Sequence, residues 1–240
     1  MKTNNTKCRN GNNAEYYRQL EKENKLVLSY LTVRKIIGWL GLLLPLILIL
    51  GSFLFGKCHE IQPSISNYYH TGMRDVFVGY MCTLSIFLLS YKGYDLTDRI
   101  VSALAGAFGL TLALMPTNLL NPLPDCNIVC NTAQHNWIGT VHLIAAGLFL
   151  LLLGCFSFFL FTKGETNPTP QKIVRNKIYK IAGLIIFACV ILLIIFFSLP
   201  PDIETGLQKL KPIFWLETVA VVAFGFSWLV KGEFLLKDQS

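Results

Sequence analysis

Six long apolar runs, each bounded by charged or polar residues, leave this chain few ways to fold. They cover approximately residues 36–55, 76–91, 100–115, 137–161, 181–199 and 213–230. A helix needs about 20 mostly apolar residues to cross a hydrocarbon layer of roughly 30 Å. Inside that layer no water satisfies the backbone, so each run must close its hydrogen bonds within itself as a helix. The second and third runs hold only about 16 such residues, roughly 24 Å of straight helix, and need flanking residues to complete a crossing. Of the 240 residues, 53% are hydrophobic and 15% are charged, against roughly 25% charged in a soluble domain. The expectation is an all-α, polytopic membrane bundle of six transmembrane helices.

Orientation follows from the positive charges. If residues 1–35 lie in the cytoplasm, 17 Lys and Arg fall on the cytoplasmic side and 4 (Lys57, Arg74, Lys209, Lys211) on the other. That asymmetry predicts both termini inside. It places the chain in the cell (inner) membrane as a multi-pass protein. Trp39 and Trp228 fall at inner ends of the runs, Trp137 and Trp215 at outer ends, as an interfacial aromatic belt requires. The net charge of +7 is explained by attraction to anionic lipid headgroups on the inner face, and no nucleic-acid motif accompanies it. Membrane lipids are the expected partners, nucleic acid is not, and the sequence leaves the oligomeric state open.

The chain divides into a polar tail and membrane-proximal segment (1–35), one transmembrane domain (36–231) and a short tail (232–240). Residues 26–33 are apolar and either lie along the membrane surface or extend the first helix inward. The first run is too long for a typical signal-peptide core, and an uncleaved span is expected. Pro45 predicts a local kink. In the third run Ala103/Ala107 and Gly109/Ala113 are spaced four apart, which predicts close helix approach inside the bundle. Cys58, Cys126 and Cys130 all fall in outer loops, where an oxidising exterior allows a disulfide. Either Cys126 and Cys130 pair locally, or one of them joins Cys58.

The chemistry-bearing residues gather at the outer end. An ionisable group inside a membrane helix costs on the order of 3 kcal/mol, so it turns inward and finds a partner. Glu217 is the one acidic residue well inside an apolar run, and His142 comes at a similar depth from another. The two are expected to face each other across a polar pocket, joined directly or through one water. His70 and Asp75 are expected beside them, as a second acid/base pair or as headgroup contacts. Ser66, Asn67, Tyr69, Arg74 and His135 are the further candidates for ligand binding.

Ser66, four before His70, and the following Asp75 resemble elements of the membrane hydrolase superfamily of alkaline ceramidases and progestin/adiponectin receptors, which hold zinc. The rest of that pattern is missing. His135 and His142 are seven apart, about 10.5 Å along a helix, too far to share one ion at about 2.0–2.1 Å. No cofactor is expected, zinc being the lesser alternative.

A broader set of motifs resembles the six-span family of DRAM autophagy modulators, Sfk proteins and GPI-lipid-remodelling factors, with its uncharacterised bacterial relatives. It comprises Ile65-Ser66-Asn67 with Asp75-Val76-Phe77, His142 with Ala145-Ala146-Gly147, and Glu217 within residues 215–220, followed by residues 224–228. Family members usually carry Asp where this chain has Asn67. The resemblance implies a protein that handles lipids or modulates a membrane process, without implying a reaction.

Two function classes follow. One is a protein that binds or senses a lipid or other amphiphile in an outward-facing polar pocket. The other is a lipid hydrolase or acyltransferase, with His142 as general base, Glu217 as its orienting partner (or the reverse), and no recognisable nucleophile elbow.

Overall fold

A computed structural model describes residues 25–56, 58–91, 93, 95–119, 123, 126, 136–163 and 169–236. The elements are α1 (Lys25–Leu54), α2 (Arg74–Ser90), α3 (Leu96–Leu114), α4 (Asn136–Cys155), α5 (Pro170–Phe197), α6 (Pro201–Gln208) and α7 (Pro212–Lys231). A 3-10 turn, Ser66–His70, precedes α2, and a π turn, Phe156–Leu160, prolongs α4. No strand occurs among the described residues. Five helices (α1 from Leu31, α3, α4 with its π turn, α5 and α7) are long and apolar enough to cross a membrane. The chain is therefore a multi-pass helical membrane protein. At 17 residues, α2 rises about 26 Å.

Residues 26–33 extend the first helix, which starts at Lys25 and continues unbroken through Pro45. Helix α5 begins well ahead of its apolar run because Thr169 accepts a hydrogen bond from the Lys172 N–H and Pro170 occupies the first turn. A side-chain acceptor followed by proline is a strong helix start.

The long helices form a closed ring in the order α1, α2, α3, α4, α5, α7, with α7 packed against both α5 and α1. Between membrane helices, small residues let backbones approach and supply the van der Waals contact that hydrophobicity cannot. At the α1–α7 seam a Cβ on Gly225 would lie 2.6 Å from the Leu42 nitrogen and 2.7 Å from the Gly38 oxygen. The α2–α3 seam works similarly: a Cβ on Gly106 would meet the Ser85 carbonyl at 2.8 Å, and Ser102 donates to the Leu88 carbonyl. This changes the reading of α3. Its contact face is Ser102, Gly106, Gly109 and Ala113, while Ala103 and Ala107 are exposed. The helix is a member of the ring and is not enclosed by it.

The end of the bundle where α7 finishes is packed with aromatic rings. Trp228 lies 5.3 Å from Tyr91, 5.0 Å from Phe161 and 5.7 Å from Phe156, centroid to centroid. Trp228 is fully buried, so it does not belong to the interfacial belt expected of it. Trp39, Trp137 and Trp215 are exposed. The turn from α2 to α3 is tied to the end of α4 by Lys163, whose ammonium meets Asp95 at 2.8 Å and Asp98 at 2.6 Å. The Lys163 hydrogen bond holds the Asp95 carboxyl below the usual carboxylate range. Trp39 and Phe234 stack edge-on at 5.5 Å, which holds the residues after α7 against α1 at this same end.

At the opposite end a disulfide joins Cys58 to Cys126, so the connection before α2 is bonded to the connection after α3. Gln62 Nε2 lies 3.2 and 3.3 Å from the two sulfurs. Cys130 lies outside the described residues. The bond closes a loop across a sequence separation of 68, for which a chain-entropy argument gives about 4 kcal/mol, the upper end of what disulfides typically contribute. Cys58→Ser is expected to lower the thermal midpoint of the detergent-purified protein, and reduction of the wild type should reproduce the drop. Equal midpoints with and without reductant would show that the bond contributes nothing to stability.

Candidate functional site at the Glu217 end

The site is assembled from helix ends. Proline cannot continue a helix and forces the residue before it into extended backbone. Pro116 accordingly ends α3, and Met115 adopts φ −97°, ψ 118°. The carbonyls beyond such an end have no intrahelical donor, and two histidines supply one. His142 Nδ1 donates to the Met115 carbonyl at 2.6 Å, and His70 Nε2 donates to the Thr117 carbonyl at 2.8 Å. Bonding of Nδ1 to a carbonyl requires a proton there. In the neutral ring this leaves Nε2 with the lone pair. His142 Nε2 has no hydrogen-bond partner among the described residues.

Glu217 enters from the first turns of α7. Its Oε2 accepts the Ile65 N–H at 2.6 Å, and the Ser66 backbone also faces the carboxylate. The carboxylate thus caps the start of the 3-10 turn, where free N–H groups favour an anion. The same connection docks along α7 through the Phe214 N–H to the Pro63 carbonyl at 3.0 Å and the Lys211 ammonium to the Ile61 carbonyl. Tyr68 is fully buried in the dock, its ring 6.4 Å from Phe214, and burial pushes its phenol up to about 12.

His142 and Glu217 line one cavity of about 240 Å³ together with Ser64, Ser66, Thr117 and Thr140. They do not bond to each other. Each is held by a backbone group, His142 by Met115 and Glu217 by Ile65, so of the direct or water-joined contact expected from the sequence the direct form does not occur.

The remaining candidates separate into groups. His70 is buried behind the cavity wall, bonded to Thr117. Asn67 is buried inside the connection, its side-chain amide 3.4 Å from Gln62. Tyr69 and Arg74 pair with one another, guanidinium over ring at 4.8 Å and guanidinium to hydroxyl at 3.1 Å. Asp75 is exposed at the start of α2 and is not among the residues that line the cavity. His135 lies outside the described residues. Among the described residues, no three His, Cys, Asp or Glu side chains come together as a metal site.

Sequence reasoning missed Glu204 of α6, Asn118 and Gly139, all of which line the cavity. Gly139, three residues before His142, leaves room for the Asn118 side-chain amide, which a Cβ there would displace.

Behind the polar cavity lies a larger apolar groove of about 490 Å³ between α4 and α5, lined by Leu148, Leu151, Val190, Leu193 and Ile194 among others. Cavity and groove share Leu143, Ala146, Phe197, Ile213 and Glu217. A molecule with a polar end and an apolar tail matches that sequence of surfaces. Comparison of the chain with family models, with curated proteins and with solved structures gives no match.

Proposed function

We propose that this protein is a six-span membrane protein that binds an amphiphile, with the polar end in the Glu217/His142 cavity and the tail along the α4–α5 groove. The observation that carries this reading is the continuity of the two spaces through Glu217 and Ala146. Two carboxylates, Glu204 and Glu217, line the polar end. That lining suits a neutral lipid headgroup bearing hydroxyl or amine donors, which a carboxylate and an imidazole lone pair both accept. Membership of the six-span lipid-handling family belongs to the same proposal.

The sixth span is α2. What supports it is that its ends touch opposite ends of the ring, Arg74 beside Tyr69 and Tyr91 beside Trp228. The proposed orientation puts both termini in the cytoplasm and the Glu217 cavity in the outer leaflet of the cell membrane. A disulfide at the Glu217 end is consistent with an oxidising exterior there. An impermeant thiol reagent on reduced intact cells is expected to label Cys58 or Cys126 and to spare Cys8. Labelling of Cys8 alone would reverse the orientation.

A hydrolase or acyltransferase that works through a covalent intermediate needs a side-chain nucleophile within reach of its base. Ser64 and Ser66 line the cavity, but Ser64 Oγ accepts from the Asn67 N–H and neither serine bonds His142 among the described residues. Binding is therefore the favoured reading.

Ala146→Trp, which fills the junction of cavity and groove, provides the test. Purified protein should retain lipid through detergent exchange, read by mass spectrometry of extracts, and A146W should lose it several-fold. Equal lipid in both proteins would remove the proposal. Release of a free acyl chain by the wild type alone would replace binding with catalysis.

A further inference from the structure

The seam between α4 and α5 changes character along its length. Leu143 and Phe197 share the wall of the polar cavity, and Phe158 packs on Gly183 at the other end, so the two helices run antiparallel. Toward the Trp228 end the seam is filled. A Cβ on Gly154 of α4 would lie 2.6 Å from the Phe187 ring of α5, and a Cβ on Gly183 of α5 would lie 2.6 Å from Phe158 of the π turn. Each of these glycines receives a phenylalanine from the facing element. The Phe187 ring is braced further by Phe158 and Phe159, at centroid distances of 6.1 and 6.4 Å.

Toward the Glu217 end the same seam is open. Gly147 is the third glycine along it, and a Cβ there would meet nothing within 4 Å. It lines the apolar groove, which ends on Leu151 of α4 and Val190 of α5. About one helical turn beyond Leu151 comes Gly154, and about one turn beyond Val190 comes Phe187. The Gly154–Phe187 contact is therefore the floor of the groove. An independent observation points to a ligand above that floor. His142 is 2% exposed and its Nε2 has no hydrogen-bond partner among the described residues, and it lines the polar cavity that continues into the groove. A buried acceptor without a donor is costly, and a headgroup hydroxyl placed there satisfies it.

The depth of the groove sets a length. Ile144 to Leu151 covers about 10.5 Å of helix, and Ile144 to Gly154 about 15 Å. A staggered hydrocarbon chain with bonds of about 1.5 Å advances about 1.25 Å per carbon. We infer that the protein selects its ligand by tail length, with Phe187 as the limiting residue, and that the ligand is a hydroxyl-headed amphiphile with a tail of about eight to twelve carbons. This inference rests on the amphiphile reading above and adds a selectivity to it. A longer tail meets the Phe187 ring and turns out of the groove into the surrounding hydrocarbon, gaining nothing more from the protein.

The experiment uses the full chain in amphipol. Equilibrium binding is measured for tritiated monoacylglycerols with octanoyl, decanoyl, dodecanoyl, tetradecanoyl and hexadecanoyl chains. Wild-type affinity should rise several-fold with each added pair of methylenes and stop rising after the dodecanoyl chain. Phe187→Ala should carry the rise through to the hexadecanoyl chain and bind it at least threefold more tightly than the wild type, a gain that damaged folding cannot imitate. Phe187→Leu, which keeps an apolar contact with Gly154, should move the break by one pair of methylenes and serves where the alanine variant does not fold. Gly147→Leu places its side chain in open space and should end the rise at a shorter chain. The inference is overturned if wild-type affinity climbs unbroken to the hexadecanoyl chain, if the Phe187 variants break where the wild type does, or if G147L binds as the wild type does. Failure of the wild type to bind any of the five also overturns it. Co-purified lipid that the wild type retains and A146W loses would uphold the amphiphile reading in each of those cases, so the two fail separately.

Discussion

Glu217→Ala is expected to loosen the connection that precedes α2 and to lower the stability of the purified protein by roughly 2–3 kcal/mol. The alanine removes the acceptor of the Ile65 N–H, a 2.6 Å bond. A buried donor left unsatisfied costs about 1–3 kcal/mol, and a hydrogen bond to a charged group is worth about 1.5–3 kcal/mol. Glu217→Gln keeps an acceptor of the same shape and should cost only about 1 kcal/mol, the difference between a charge-assisted and a neutral bond. Thermal unfolding in detergent orders the three proteins, and limited proteolysis reports on residues 58–73 directly. If the alanine variant resists heat and protease as the wild type does, the carboxylate is not the clamp. Because Glu217 also lines both the cavity and the groove, the alanine variant should retain several-fold less lipid.

The second large effect is expected at Gly225. The atoms a Cβ would strike belong to the α1 backbone, at Leu42 and Gly38, so no rotamer change relieves the clash and the two helices must separate. Overpacking a tight contact typically costs about 1–3 kcal/mol. Gly225→Ala should fall at the upper end of that range, and Gly225→Leu should prevent recovery of a monodisperse protein. Gly79→Ala is the matched control. Nothing lies within 4 Å of its added Cβ, and alanine is favoured over glycine in a helix by up to about 1 kcal/mol. Size-exclusion profiles and thermal midpoints of the three variants test the seam. A stable, monodisperse G225L protein would show that α1 and α7 are not held by backbone approach.

The transmembrane architecture was legible because hydrocarbon imposes a coarse rule on long stretches of chain. Apolar runs with charged borders located each long helix, but left open whether residues 26–33 belong to α1 and did not reach the polar start of α5. Faces were less legible. Ala103 and Ala107 carry the same small-residue spacing as Ser102 and Gly106, and only the neighbouring helix decides which pair is covered. Trp228 sits at a helix end like an interfacial tryptophan, yet the rings of Tyr91, Phe156 and Phe161 enclose it. At the site, the expense of Glu217 and His142 in hydrocarbon singled them out. Their partners were invisible because those partners are backbone groups, the Ile65 N–H and the Met115 carbonyl, which every residue possesses.

Helix α7 is the last of the long helices to be synthesised, yet it fills the gap between α1 and α5 and contributes Glu217. The Glu217 cavity lacks one wall until α7 has been made. Before then the first connection lacks its carboxylate, and Gly38 and Gly41 of the oldest helix face whatever lipid or insertion machinery surrounds them. Ring closure therefore waits for α7, which closes the α1–α5 gap and supplies the Glu217 wall in one event. A ribosome-stalled chain ending before residue 212 should be inserted, protease-sensitive at residues 58–73 and empty of ligand. Release of the final helix should then convert it in a single step.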